Sequence, residues 1–181
     1  KLQKGAGDSR GFMQFLVISD SHGRIDRLRA ALDRTPDCKN VLFLGDGLAD
    51  VAAVAPSFPD RTFRCVRGNM DAPSLDPPAE EIDFFTLYGN TVMITHGHRF
   101  GVKGGIGAAV AYAGRKGARV LLFGHTHVPE DRFLPEEGMF VCNPGSIGRP
   151  VDGVPHFGVL SLLPDGGVLF SHGTLSPENF L

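Results

Sequence analysis

The chain is poor in cysteine, in runs of positive charge and in long apolar stretches, and each shortage excludes a class of protein. Its three cysteines, Cys38, Cys65 and Cys142, are widely spaced, and no CxxC pair occurs. An odd number without paired spacing argues against both a disulfide framework and a zinc ribbon. All three read as ordinary buried or half-buried thiols, and a reducing, cytoplasmic compartment is the expected location. No Lys/Arg run exceeds two residues, and 18 basic residues stand against 20 acidic ones for a net charge of −2. That balance carries no electrostatic footprint for nucleic acid. With no apolar run of about 18 residues, no membrane span is expected either.

What is abundant is glycine, with 24 in 181 residues, clustered around histidine and aspartate motifs. Such placement suits tight loops whose backbone closely approaches an ion or ligand. The length suffices for one domain with a sizeable core and not for two. Residues 1–12 lack an apolar core and periodicity, so they are expected to be a leader or a disordered extension, leaving 13–181 as the single domain.

The pattern alternates buried strands with helices. Residues 14–19, 41–44, 62–66 and 119–123 are short, strongly apolar runs that read as strands. Helices are expected over 24–34, where Ile25, Leu28, Ala31 and Leu32 share a face, over 49–55, and over 104–116 despite its glycines. Residues 81–88 and 91–95 read as a hairpin turning at Gly89-Asn90. Shorter strands are expected around Arg132 and Phe140 and over 157–162 and 168–171. Two sheets follow, near-parallel early in the chain and more antiparallel late, packed face to face with helices outside.

Seven metal-competent side chains sit in short motifs, most of them directly after those strands. They are Asp20 and His22 in S-D-S-H-G, Asp46 in G-D-G, Asn69 in G-N-M-D, His96 in H-G-H, and His125 and His127 in G-H-T-H. Carboxylate, amide and imidazole donors together suit two divalent transition ions. Any one triplet is weak, because lone histidines are more often surface or packed core residues. The combination is stronger, since five of the seven histidines fall within these motifs. Two dications about 3.5–4 Å apart require a bridging carboxylate, and Asp46, from the middle of the series, is the candidate. Asp71 reads as a turn cap or as an acceptor behind Asn69. Arg67 and Arg149 could reach a phosphate but read as surface residues, and His156 and His172 read as surface or packed core residues.

In this order the motifs D-x-H, G-D, G-N, H-G-H and G-H-T-H resemble the calcineurin-like metallophosphoesterase superfamily. Within it they look most like the short YfcE/MJ0936-like phosphodiesterases, and Asn143-Pro144-Gly145-Ser146 matches as well. The resemblance implies a four-layer αββα sandwich of two mixed sheets flanked by helices. It implies two divalent ions, Mn²⁺ first, with Fe, Ni²⁺, Co²⁺ or Zn²⁺ also accepted by such donors. Asp20, His22, Asp46 and His127 would hold one ion, and Asp46, Asn69, His96 and His125 the other. A bridging water or hydroxide would then attack a phosphate diester in line. Many members of the superfamily carry a proton-donating His after the motif Asn, where this chain has Met70, so His98 becomes the candidate to contact phosphate or protonate the leaving group. A small-molecule phosphate ester is the implied substrate, and a homo-oligomer is compatible with so small a fold. The alternatives are a phosphomonoesterase or nucleotide-polyphosphate hydrolase using the same site, and a protein-interaction scaffold like the retromer subunit Vps29.

Overall fold

A computed structural model describes residues 11–72 and 79–176. The expected extension at 1–12 therefore falls outside the described residues except for Gly11 and Phe12. The Gly11 carbonyl accepts a hydrogen bond from the Tyr88 hydroxyl at 3.0 Å.

Among the described residues, ten strands form two five-stranded sheets. The first contains β1 (Met13–Ile18), β2 (Asn40–Phe43), β3 (Thr62–Cys65), β9 (His156–Leu162) and β10 (Val168–Thr174), in the order β10-β9-β1-β2-β3. The second contains β4 (Ile82–Leu87), β5 (Asn90–Thr95), β6 (Val120–Leu122), β7 (Pro129–Leu134) and β8 (Met139–Pro144), in the order β4-β5-β6-β8-β7. Helices α1 (Ile25–Arg34), α2 (Leu48–Val54) and α3 (Gly107–Arg115) complete the fold.

Alternation along the strands explains the layers. Phe15 and Val17 of β1, Leu42 of β2, Val92 and Ile94 of β5, and Val120 and Leu122 of β6 face one another between the sheets. The intervening Leu16, Ile18, Val41 and Phe43 pack outward under α1 and α2. Met93, Leu121 and Val141 pack outward with Ala109, Val110 and Ala113 of α3. Three apolar seams thus separate four layers, α-β-β-α.

The expected contrast between a near-parallel and an antiparallel sheet is corrected. Both are mixed: β1-β2-β3 and β5-β6-β8 pair in parallel, while β9, β10, β4 and β7 add antiparallel neighbours. Late strand β9 joins β1, placing Phe15 opposite Leu160, a pairing across the sequence that local pattern does not encode. The hairpin also turns one residue earlier than expected, at Tyr88-Gly89, with φ of +50° and +76°. Asn90 is the first buried residue of β5, and its side-chain amide donates to the Gly166 carbonyl. Helix α3 starts three residues late, because Gly101 and Gly105 adopt positive φ and form a turn instead.

Candidate metal centre

Parallel strands share a direction, so their carboxyl ends open on one edge of each sheet, where loops can converge. Asp20 and His22 follow β1, Asp46 follows β2, Asn69 follows β3, His96 follows β5, and His125 and His127 follow β6. Backbone hydrogen bonds lock neighbouring loops together: Asp20 N–H donates to the Gly45 carbonyl at 3.0 Å, His22 N–H to the Asp46 carbonyl at 3.1 Å, and Gly124 N–H to the His96 carbonyl at 3.1 Å. The two sheets meet at the site itself. His125 N–H donates to Asp20 Oδ2 at 3.1 Å, and His96 Nδ1 lies 2.8 Å from the Leu44 carbonyl.

Backbone strain is concentrated here. Among the described residues, six non-glycines have positive φ, and five of them are Asp20, His22, Asp46, His125 and His127. The left-handed region costs an L-residue about 1–2 kcal/mol, and such conformations gather where function requires a particular side-chain direction. The turn residue Tyr88 is the sixth.

These directions create two clusters, Asp20–His22–His127 and Asp46–His96–His125, whose donor atoms lie within 4.8 Å of one another in each. The opposed nitrogens, His22 Nε2 with His127 Nε2 and His96 Nε2 with His125 Nδ1, are 3.2 and 3.1 Å apart. Two imidazole ligands about 2.1 Å from one ion would be separated by about 3.0–3.4 Å. Tautomers are set from behind. A carbonyl can only accept, so His96 Nδ1–H donates to Leu44, and His127 Nδ1–H donates to the Arg149 carbonyl at 2.6 Å. In the neutral rings each Nε2 then presents a lone pair to the cluster.

Those lone pairs face carboxylate oxygens, which also only accept. His127 Nε2 is 3.1 Å from Asp20 Oδ1, and His96 Nε2 is 3.4 Å from Asp46 Oδ2. Asp20 Oδ1 is buried and makes no hydrogen bond among the described residues. Acceptors aimed at one another in a buried space need positive charge between them, either imidazolium protons, which Asp20 and Asp46 favour on His127 and His96, or a metal ion; the donor set fits a metal. Charge on the groups follows the same logic. Burial would raise the Asp20 carboxyl, but His127 and His22 hold it well below the usual carboxylate range. Burial likewise opposes ionisation of Asp46, yet His96 and the Met70 N–H keep it low. Burial and the nearby His96 push His125 down to about 4, leaving it neutral and able to ligate.

Six of the seven expected ligands are thus brought together in two clusters. Asn69 lies on the adjoining loop with an exposed side chain, although the next residue's N–H reaches Asp46 Oδ1 at 2.8 Å. The His98 ring centre is 5.5 Å from that of His96 and 6.3 Å from that of His125. Its Nδ1 is buried without a partner among the described residues, and its Nε2 is 3.5 Å from Glu81. Arg67 pairs with Glu81, while Arg149 serves the site through its backbone carbonyl. His156 pairs with Asp152, and His172 binds the Asn143 carbonyl.

Sequence reading passed over the side chains that hold the loops. Asp50 accepts from Ser21 Oγ at 2.6 Å and from Gly23 N–H at 2.8 Å. Asn143 donates to the Gly124 carbonyl and to Thr126 Oγ1, both at 3.0 Å. Ser146 Oγ donates to the Asp20 carbonyl at 2.9 Å. The only signal was the N-P-G-S motif, since an isolated Asp on a helix looks like a surface residue.

Residues 13–164 match the profile of the calcineurin-like phosphoesterase superfamily domain. The chain is 28% identical over 158 residues to the probable metallophosphoesterase YsnB of Bacillus subtilis (strain 168), covering 87% of this chain and 89% of that protein. A predicted phosphoesterase of Streptococcus pneumoniae TIGR4 superimposes with a TM-score of 0.69 at 24% identity, over 91% of this chain and 99% of that one. Vacuolar protein sorting 29 of Cryptosporidium parvum superimposes with a TM-score of 0.67 at 18% identity, over 92% and 99% of the two chains.

Proposed function

Because the chain belongs to the calcineurin-like phosphoesterase superfamily, we propose that residues 13–181 form one domain that hydrolyses phosphate diesters at a pair of divalent ions. The observation that carries this reading is the opposition of buried acceptors, Asp20 Oδ1 against His127 Nε2 and Asp46 Oδ2 against His96 Nε2. Asp20, His22 and His127 would hold one ion; His96, His125 and Asn69 would hold the other. Asp46 Oδ2 lies 3.4 Å from His96 Nε2 and 3.9 Å from His22 Nε2. Asp20 Oδ1 also approaches both clusters, and the place of Asp46 after β2, between β1 and β3, supports it as the shared ligand. Held by these residues, divalent ions, Mn²⁺ in the first instance, would supply positive charge for phosphoryl oxygens and would lower the pKa of a water.

The chain's own groups restrict which esters are turned over. Met70, 67% exposed beside Asp46, carries a thioether and donates no proton. Departure of the alcohol then depends on its own acidity or on His98, whose ring sits against the His96–His125 pair. A diester with a good leaving group suits such a site better than an alkyl monoester. A scaffold of the Vps29 type is the second reading, and hydrolysis by the metal-loaded protein separates the two.

Metal-free protein reloaded with Mn²⁺ is expected to bind two ions per chain and to hydrolyse bis(p-nitrophenyl) phosphate faster than p-nitrophenyl phosphate. One ion per chain would remove the bridging role of Asp46, and absence of hydrolysis with two ions bound would favour the scaffold. His98→Ala is expected to slow hydrolysis of esters with poor leaving groups; unchanged rates would remove His98 from the mechanism.

A further inference from the structure

The carboxylate of Asp71, which is not among the proposed metal ligands, gathers the loop that carries the shared ligand. Its Oδ2 accepts from Asp46 N–H at 2.8 Å and from Gly68 N–H at 2.9 Å. Its Oδ1 accepts from Gly47 N–H and Leu48 N–H, both at 2.8 Å. A carboxylate offers about four acceptor positions, and here all four are taken by backbone donors. Three of the donors are consecutive and run from Asp46 into the first turn of α2. Gly47 is the residue before that helix and has no side chain to cap it, so a residue more than twenty positions away satisfies donors that would otherwise be orphaned. The exchange is mutual: Met70, next to Asp71, returns its N–H to Asp46 Oδ1 at 2.8 Å. One Asp46 oxygen is thereby occupied, and Oδ2 is left to face His96 and His22.

We propose that Asp71 is the positioning residue of the dinuclear centre, holding Asp46 in its left-handed conformation (φ +59°) with one oxygen turned to the metals. This rests on the two-ion reading above and adds to it a second carboxylate whose work is to aim the first. An ion-binding loop prepared in this way exists before metal arrives, so metal affinity, rather than chemistry at saturating metal, registers its loss.

The test titrates Mn²⁺ alone into metal-free wild type, Asp71→Asn, and Asp165→Asn as a control whose carboxylate serves a turn at Gly167. Asn presents N–H groups where one oxygen accepted, so two of the four hydrogen bonds are lost. Wild type and Asp165→Asn are expected to bind two ions with equal affinity. Asp71→Asn is expected to keep the wild-type circular dichroism but to bind about 10–100-fold more weakly. Its turnover should recover to within a few-fold of wild type at saturating Mn²⁺. Two ions bound by Asp71→Asn with wild-type affinity would overturn the proposal. Failure of wild type to bind two ions would instead sink the parent reading. Should the variant not fold, amide exchange in metal-free wild type decides: Asp46, Gly47, Leu48 and Gly68 are expected to be protected, and exchange at unprotected rates overturns the proposal.

Discussion

At the scale of single residues, the site is governed by how little room surrounds its proposed ligands. A Cβ at Gly68 would overlap Asp46 Oδ1 and stand 2.5 Å from the Asp46 nitrogen, while one at Gly124 would overlap Ser19 Oγ and stand 2.9 Å from Asp20 Oδ2. Gly68→Ala is therefore expected to push Asp46 out of place. Calorimetric titration should show fewer than two Mn²⁺ bound, with a stability loss of about 1–3 kcal/mol from overpacking. Removing the shared carboxylate outright, as Asp46→Ala, is expected to lower kcat/KM at least about 10³-fold. That corresponds to about 4 kcal/mol of lost charge stabilisation, and a loss of tenfold or less would place the bridge elsewhere. Met70→His restores a proton donor beside the site. It is expected to raise turnover of alkyl esters by up to about 10²-fold while leaving aryl esters nearly unchanged, as steady-state rates on the two series would show.

At the scale of elements, local chemistry accounts for most boundaries and tertiary contacts for the rest. The β4–β5 turn shows the limit. Gly89-Asn90 is a strong turn signal, yet Asn90 Nδ2 reaches the Gly166 carbonyl and Tyr88 reaches Gly11. Those distant partners slide the turn by one residue and leave Tyr88 in a left-handed conformation. Helix α3 shows the opposite case, a helix carrying glycines that nothing in its packing demands. A Cβ at Gly114 would meet only the end of the flexible Met139 side chain, at 4.0 Å. Gly114→Ala is expected to stabilise the protein by about 0.5–1 kcal/mol, raising the Tm by about 1–4 °C without changing activity. Between the sheets, Arg64 of β3 binds the Asp83 carboxylate and the Phe84 carbonyl of β4. That pins one sheet edge to the other in a way no local periodicity encodes.

At the scale of the whole molecule, three apolar seams hold four layers so that the carboxyl ends of both parallel sets meet. The meeting place is filled with buried acceptors and left-handed residues, so cations should add to the stability of the fold. Mn²⁺ at 100 times its dissociation constant contributes about 2.7 kcal/mol per site, about 5.4 kcal/mol for the two, and a Tm about 10–20 °C higher than in EDTA is expected. An unchanged Tm would mean that the clusters do not bind the ion. The chain order alone determined the α/β layering, the strand-end placement of the His/Asp motifs and which six metal-competent side chains cluster, because burial alternation and metal-donor chemistry are written locally. Tertiary structure alone decided the pairing of β1 with β9, the tautomers set by Leu44 and Arg149, and the hold of Asp50 and Asp71 on the ligand loops. Each of these depends on hydrogen bonds between residues more than twenty positions apart, and such partners leave no periodic trace along the chain.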